Sequence, residues 1–180
     1  MPRADAVRNR QRILTAARTA FADEGPAVSL DDLARRAGVG PGTVHRHFPR
    51  KDALFAAVVA DRLTELTAAA GSLADAPDPG AAFYEFFRRL ATEAGQNLAL
   101  SAALTEPSQV GAAILEAGAG LEAALAVLLR RAQEAGAVRA DLTTAELHAV
   151  IAGTLVMEQR LPASAKGRGL RLVADGLTPR

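Results

Sequence analysis

A chain of 180 residues suits one medium domain or a small head on a larger body. Apolar residues make up 49% and aromatic ones only 4%, so the core must be mainly Ala, Leu and Val; alternating β-branched runs are absent, which favours an all-α fold. The lack of cysteine excludes a disulfide framework and a thiolate metal site, and a net charge of +1 hides an uneven distribution: residues 1–51 hold ten Lys/Arg against five Asp/Glu (+5), the remainder eleven against fifteen (−4).

The first helix is expected from about Ala6 to Asp23, with Ile13, Leu14, Ala17, Ala20 and Phe21 as its apolar stripe. Arg3, Arg8, Arg10 and Arg12 crowd its start, against the preference of a helix N-terminus for negative charge. Met1-Pro2-Arg3 leads straight into this charged helix, so no secretory signal is expected; no apolar run is expected to span a membrane, and the expected location is cytoplasmic. Glu24-Gly25-Pro26 breaks the helix. Ser29 is an N-cap with Asp32 three residues on, opening a short helix whose Leu30, Leu33, Ala34 and Ala37 share one face. Gly38 stops it, and Gly40-Pro41-Gly42 restarts the chain as a second short helix, Thr43 to Phe48, anchored by Val44 and Phe48. The pair is a helix-turn-helix with a basic, histidine-bearing second helix sized for the DNA major groove.

A long helix starts near Lys51 and continues to about Leu73. Asp78 caps the next one, with Pro79 at its first turn, and that helix carries Phe83, Tyr84, Phe86, Phe87 and Leu90. Gly95-Gln96-Asn97 interrupts it, LALSAAL follows as a short apolar helix stopped by Glu106-Pro107, and residues 108–118 read as helical but glycine-spotted. A further helix with Leu121, Leu125, Leu128, Leu129 and Ala132 on one face ends at Ala135-Gly136. Thr143 and Glu146 then form a capping box before Leu147, Val150, Ile151, Thr154 and Leu155, and a short helix from Gly169 to Asp175 closes the chain.

The run RILTAARTAFADEGPAVSLDDLARRAGVGPGTVHRHFPRKDALFAAV resembles the N-terminal domain of the TetR/AcrR family of bacterial transcriptional regulators, over about the first third of the chain. The matching features are F-x-x-E-G at the end of the first helix, the L-A-x-x-A-G-V turn, G-T-V-H-R-H-F, and a lysine opening the next helix. The resemblance implies a three-helix DNA-binding domain over residues 1–50 and a helical effector-binding and dimerisation domain over residues 51–180. It also implies a repressor that binds a palindromic double-stranded DNA operator as a homodimer and is released by a small-molecule effector. An activator, or a non-specific helix-turn-helix protein without effector, is the alternative.

Carried onto this sequence, the DNA-binding positions are Ser29, Gly42, Thr43, His45, Arg46, His47 and Lys51. Lys51 is a point charge at a helix start and suits a phosphate; Arg46 suits a guanine edge, which arginine takes bidentately. His45 stands where the family usually has tyrosine, and a histidine also donates to phosphate. Gly42 matters by absence, letting backbone approach DNA. The effector pocket is expected among Leu63, Phe83, Phe86, Phe87, Leu90, Leu104 and Ile114, and the dimer interface along Leu121, Leu125, Leu128, Leu147, Ile151 and Leu155. No metal or cofactor is expected: His45 and His47 are two apart and face different ways on a helix, and no catalytic or phosphate-loop motif occurs.

Overall fold

The computed structural model describes residues 3–24, 27–96 and 112–179, and all regular structure among them is helical. The helices are α1 (Arg3–Glu24), α2 (Leu30–Ala37), α3 (Pro41–His47), α4 (Lys51–Leu73), α5 (Pro79–Gln96), α6 (Ala112–Glu134), α7 (Thr144–Arg160) and α8 (Arg168–Gly176), with a 3₁₀ turn at Ala163–Ala165. The chain divides into two compact units, Met1–Asp61 and Arg62–Arg180, and the division falls inside α4, beyond Lys51.

The first unit is built as its pattern dictates. Ile13, Leu14, Ala17 and Ala20 of α1 meet Leu33, Ala34 and Ala37 of α2 and Val44 of α3, with Phe48, Leu54 and Val58 closing the core. Phe21 and Phe55 meet edge to face at 5.5 Å, and Arg18 reaches Asp61 at 2.9 Å, which fastens α1 to the first turns of α4. The Ser29 side chain accepts a hydrogen bond from the Asp32 N–H at 3.1 Å, satisfying one of the orphan donors of α2. Gly38 ends α2 at φ +62°, where its N–H returns to Arg35 and that of Val39 to Ala34. Pro41 opens α3 two residues earlier than the sequence suggests, and Phe48 is its cap rather than its last turn.

In the second unit α5 packs on α6, α7 and α8, and α7 on α6 and α8. Phe83 and Phe87 stack at 6.2 Å, and the Tyr84 hydroxyl donates to the Ala137 carbonyl at 3.3 Å. Burial, then the nearby Asp175, pushes the Tyr84 phenol above its ordinary range. The capping box at α7 forms in both directions: Glu146 N–H donates to the Thr143 hydroxyl oxygen at 3.2 Å, and Thr143 N–H donates to the Glu146 carboxylate at 2.8 Å. Gly80 admits a close approach, since a Cβ there would lie 2.5 Å from that of Ala137.

Two expectations about helices change. The glycine-spotted stretch from Ala112 and the leucine stripe from Leu121 are one continuous helix, α6, and Gly118 and Gly120 do not break it. Interior glycine costs a helix only about 1 kcal/mol, less than the burial of Ile114, Leu121, Leu125, Leu128 and Leu129 returns. The merged helix is also long and apolar enough, by length and composition, to cross a membrane. Leu121, Leu125, Leu128 and Leu129 are buried within the second unit, where this helix packs against α5 and α7. The apolar helix expected over LALSAAL lies outside the described residues.

Candidate nucleic-acid interface

α3 is seven residues long and one-sided. Val44 is fully buried, Thr43 and His47 are half-buried, and Gly42, His45 and Arg46 are exposed. Val44 and Phe48 pin the helix to α1 and α2, so its outward side chains are displayed by a fixed backbone. Arg46 folds back along its own helix, its Nε donating to the Gly42 carbonyl at 3.1 Å. One of its five N–H donors is thereby engaged. His45 Nε2 lies 3.9 Å from Asp31. A Cβ built at Gly42 would meet nothing within 4 Å, so the space outside this backbone is open. Lys51 is the first residue of α4, directly after the corner Pro49-Arg50. Ser29, at the start of α2, is exposed although its hydroxyl is engaged as a cap. All seven expected DNA positions thus lie in the first unit, at helix starts or on α3.

The charge around them is less free than the composition implies. Arg8 pairs with Asp5, Arg35 with Asp32, Arg36 with Glu24 at 2.6 Å, and Arg50 with Asp52 at 2.8 Å. The hydrogen bond that Arg36 donates to the Glu24 carboxylate holds its guanidinium above its ordinary pKa. Arg10 behaves differently: its guanidinium carbon sits 4.8 Å from the centre of the Phe48 ring. Arg12 lies against the turn, where a Cβ on Gly38 would come within 2.6 Å of its Nη2.

The other two groups of expected site residues fall in the interior. Leu63, Phe83, Phe86, Phe87, Leu90 and Ile114 are 0–6% exposed and form core; Leu104 lies outside the described residues. Two clefts of the second unit are lined by none of them. One of about 320 Å³ is bounded by Ala91, Thr92, Glu158, Gln159, Lys166, Gly167 and Leu170. Another, of about 440 Å³, is bounded by Arg139, Asp141, Leu142, Glu146, Val150, Val173, Gly176 and Leu177.

Leu121, Leu125, Leu128, Leu147, Ile151 and Leu155 are 0–5% exposed within a single chain. These six side chains pack the protomer's own core. The exposed faces of the same helices are made of other residues. On α7 they are Ala145, Ala149, Gly153 and Val156; on α6 they include Leu115, Ala119 and Ala123. The leucine periodicity marks a buried face and says nothing of what buries it.

Residues 13–58 match the family model for bacterial regulatory proteins of the tetR family, and residues 78–179 match the model for the C-terminal domain of SbtR-like transcriptional regulators. The TetR transcription regulatory protein from Mycobacterium vanbaalenii is 42% identical, with 98% of each chain covered and a TM-score of 0.74. The TetR transcriptional regulator SCO0520 from Streptomyces coelicolor is 32% identical over 94% of this chain and 98% of its own, with a TM-score of 0.73. The HTH-type transcriptional repressor Rv3405c from Mycobacterium tuberculosis is 48% identical over 56 residues, 31% of this chain and 30% of that protein. The chain spans less than half the length of the curated regulators it matches.

Proposed function

The chain belongs to the TetR family of bacterial transcriptional regulators, and from that premise we propose that it is a repressor that binds a palindromic operator in double-stranded DNA as a homodimer and leaves it when a small-molecule effector binds. The observation that carries this reading is the helix-turn-helix, in which α3 is pinned by Val44 and Phe48 and turns Gly42, His45 and Arg46 outward. Arg46 reads a base edge, leaving the Gly42 carbonyl for a guanine that offers two acceptors. Lys51, Thr43 and His45 hold phosphates, with Ser29 and the first turn of α2 adding N–H groups and His47 flanking the groove.

The dimer forms through the exposed small-residue faces of α6 and α7, whose alanines and Gly153 permit close helix packing about a two-fold axis. The effector binds within residues 51–180 and favours a dimer whose heads are wrongly spaced for successive major grooves. A coupling of about 1–3 kcal/mol is typical for such linkage.

The test is selection of binding sites from a random duplex pool at physiological salt, without added ligand. A two-fold symmetric motif with half-sites on one face of the duplex is the expected result. Recovery of no motif, with binding that simply fades as salt rises, would overturn the specific-operator reading in favour of non-specific contact. Transcription that rises on adding the protein to a template bearing the motif would make it an activator.

A further inference from the structure

Resting on the DNA-binding reading above, we propose that Arg10 of α1 binds a DNA phosphate, and that its neighbour Arg8 does not. Arg10 precedes the stretch matched by the family model, which begins at residue 13, so no motif assigns it a role.

The cations of the head divide according to what already engages them. Arg8, Arg18, Arg35, Arg36 and Arg50 each face a carboxylate of the same unit. Such a pair is close to neutral at a distance, and a phosphate approaching it meets the carboxylate's repulsion as well as the arginine's attraction. Among the described residues Arg10 has no carboxylate partner; it rests on the ring of Phe48 instead. A guanidinium held over a ring keeps its full charge, and a ring offers no carboxylate to take up its N–H donors. The ring contact therefore orders the group and leaves its donors for an anion, which is then bound with less loss of side-chain freedom.

The placement is equally specific. Phe48 is 2% exposed and caps the recognition helix, three residues before Lys51 opens α4. Arg10 is thus held at the corner between α3 and α4, where Lys51 is assigned a phosphate. The two cations reach the backbone from different helices and bind neighbouring phosphates of one strand. Arg8, less than one turn away on α1, is held by Asp5 and has no such ring beneath it.

The experiment is the salt dependence of duplex binding by the full chain, measured by fluorescence anisotropy on the selected duplex and on one of scrambled sequence. Wild type is compared with Arg8→Ala, Arg10→Ala, Arg10→Gln and Arg10→Lys, each checked for an unchanged helical circular dichroism spectrum. Removing one phosphate-binding cation reduces the slope of log K against log salt by about 0.9, so Arg10→Ala should lower it by about 2 per dimer and weaken both duplexes by the same factor. Arg10→Gln, which keeps its stem on the Phe48 ring, should lower the slope equally; Arg10→Lys should preserve it, and so should Arg8→Ala. An unchanged slope in Arg10→Ala or Arg10→Gln, or an equal drop in Arg8→Ala, overturns the assignment. A weakening confined to the selected duplex would make Arg10 a base reader, which also overturns it. Absence of any binding by wild type is the separate outcome that defeats the DNA-binding reading itself.

Discussion

At Gly38 a single residue meets two demands that no other side chain satisfies. Its φ of +62° lies in the left-handed region, and the guanidinium of Arg12 occupies the place a Cβ would take. Arg12 is a flexible end that can swing away, so the backbone conformation decides. Gly38→Ala should cost about 1–2 kcal/mol, measured by urea unfolding of the full chain. Gly42 gives the opposite expectation. Its Cβ position is empty and its φ is unexceptional, so Gly42→Ala should leave stability unchanged or raise it by about 0.5 kcal/mol. Operator affinity should fall nevertheless, because the added methyl points where DNA backbone is proposed to lie; unchanged affinity would remove Gly42 from the interface. The roles of Gly38 and Ser29 were legible because a glycine stop and a Ser-x-x-Asp start are local chemistry. The pairing of Asp32 was not: the sequence pattern aims its carboxylate back at the cap, while the structure gives it to Arg35.

Among the elements, α2 and α7 depend on polar groups at their ends for different reasons. α2 has eight residues, too few to form alone, so one cap is a large share of its local stability. Ser29→Ala should cost about 1 kcal/mol, read as a lower urea midpoint, with a smaller loss if water replaces the hydroxyl. Near the C-terminal end of α7, Glu158 ties that helix to α8: its carboxylate accepts from Gly167 N–H at 2.7 Å and Leu170 N–H at 2.9 Å. Burial pushes its pKa up, but these N–H groups and the nearby Lys166 outweigh burial and hold it below the ordinary carboxylate value. A carboxylate whose pKa is lowered by folding stabilises the fold above its unfolded pKa, and that contribution disappears as pH falls through the lowered one. Glu158→Gln should therefore flatten the acid limb of stability against pH, and a limb identical to that of wild type would contradict it. α6 reads as two helices in the sequence because glycine is a strong break signal there, whereas in the fold the buried side chains on either side of Gly118 and Gly120 carry the helix through.

For the molecule as a whole, periodicity revealed which helix faces are buried but not the agent of burial. Leu121, Leu125, Leu128, Leu147, Ile151 and Leu155 obey the spacing of an interface and of a core equally well, and the chain uses them as core. The exposed Ala149 therefore offers the cleaner probe of assembly. Ala149→Arg should leave the fold intact, as judged by circular dichroism, and convert dimer to monomer in sedimentation; a dimer that persists would place the interface elsewhere. The helix-turn-helix was legible in outline from the turn and the basic second helix, whereas the long-range arginine–carboxylate pairing was not, since Arg18 and Asp61 are 43 residues apart in sequence. That pairing bears on how the protein searches a genome. Residues 1–51 hold ten cations, and five of the arginines among them face carboxylates, so only about half of them release counterions when the head lands on arbitrary sequence, and its stay there is shorter than the cation count alone implies. Since sites of arbitrary sequence outnumber an operator by about a millionfold or more, a weaker grip on them leaves more of the protein available to the operator proposed for α3.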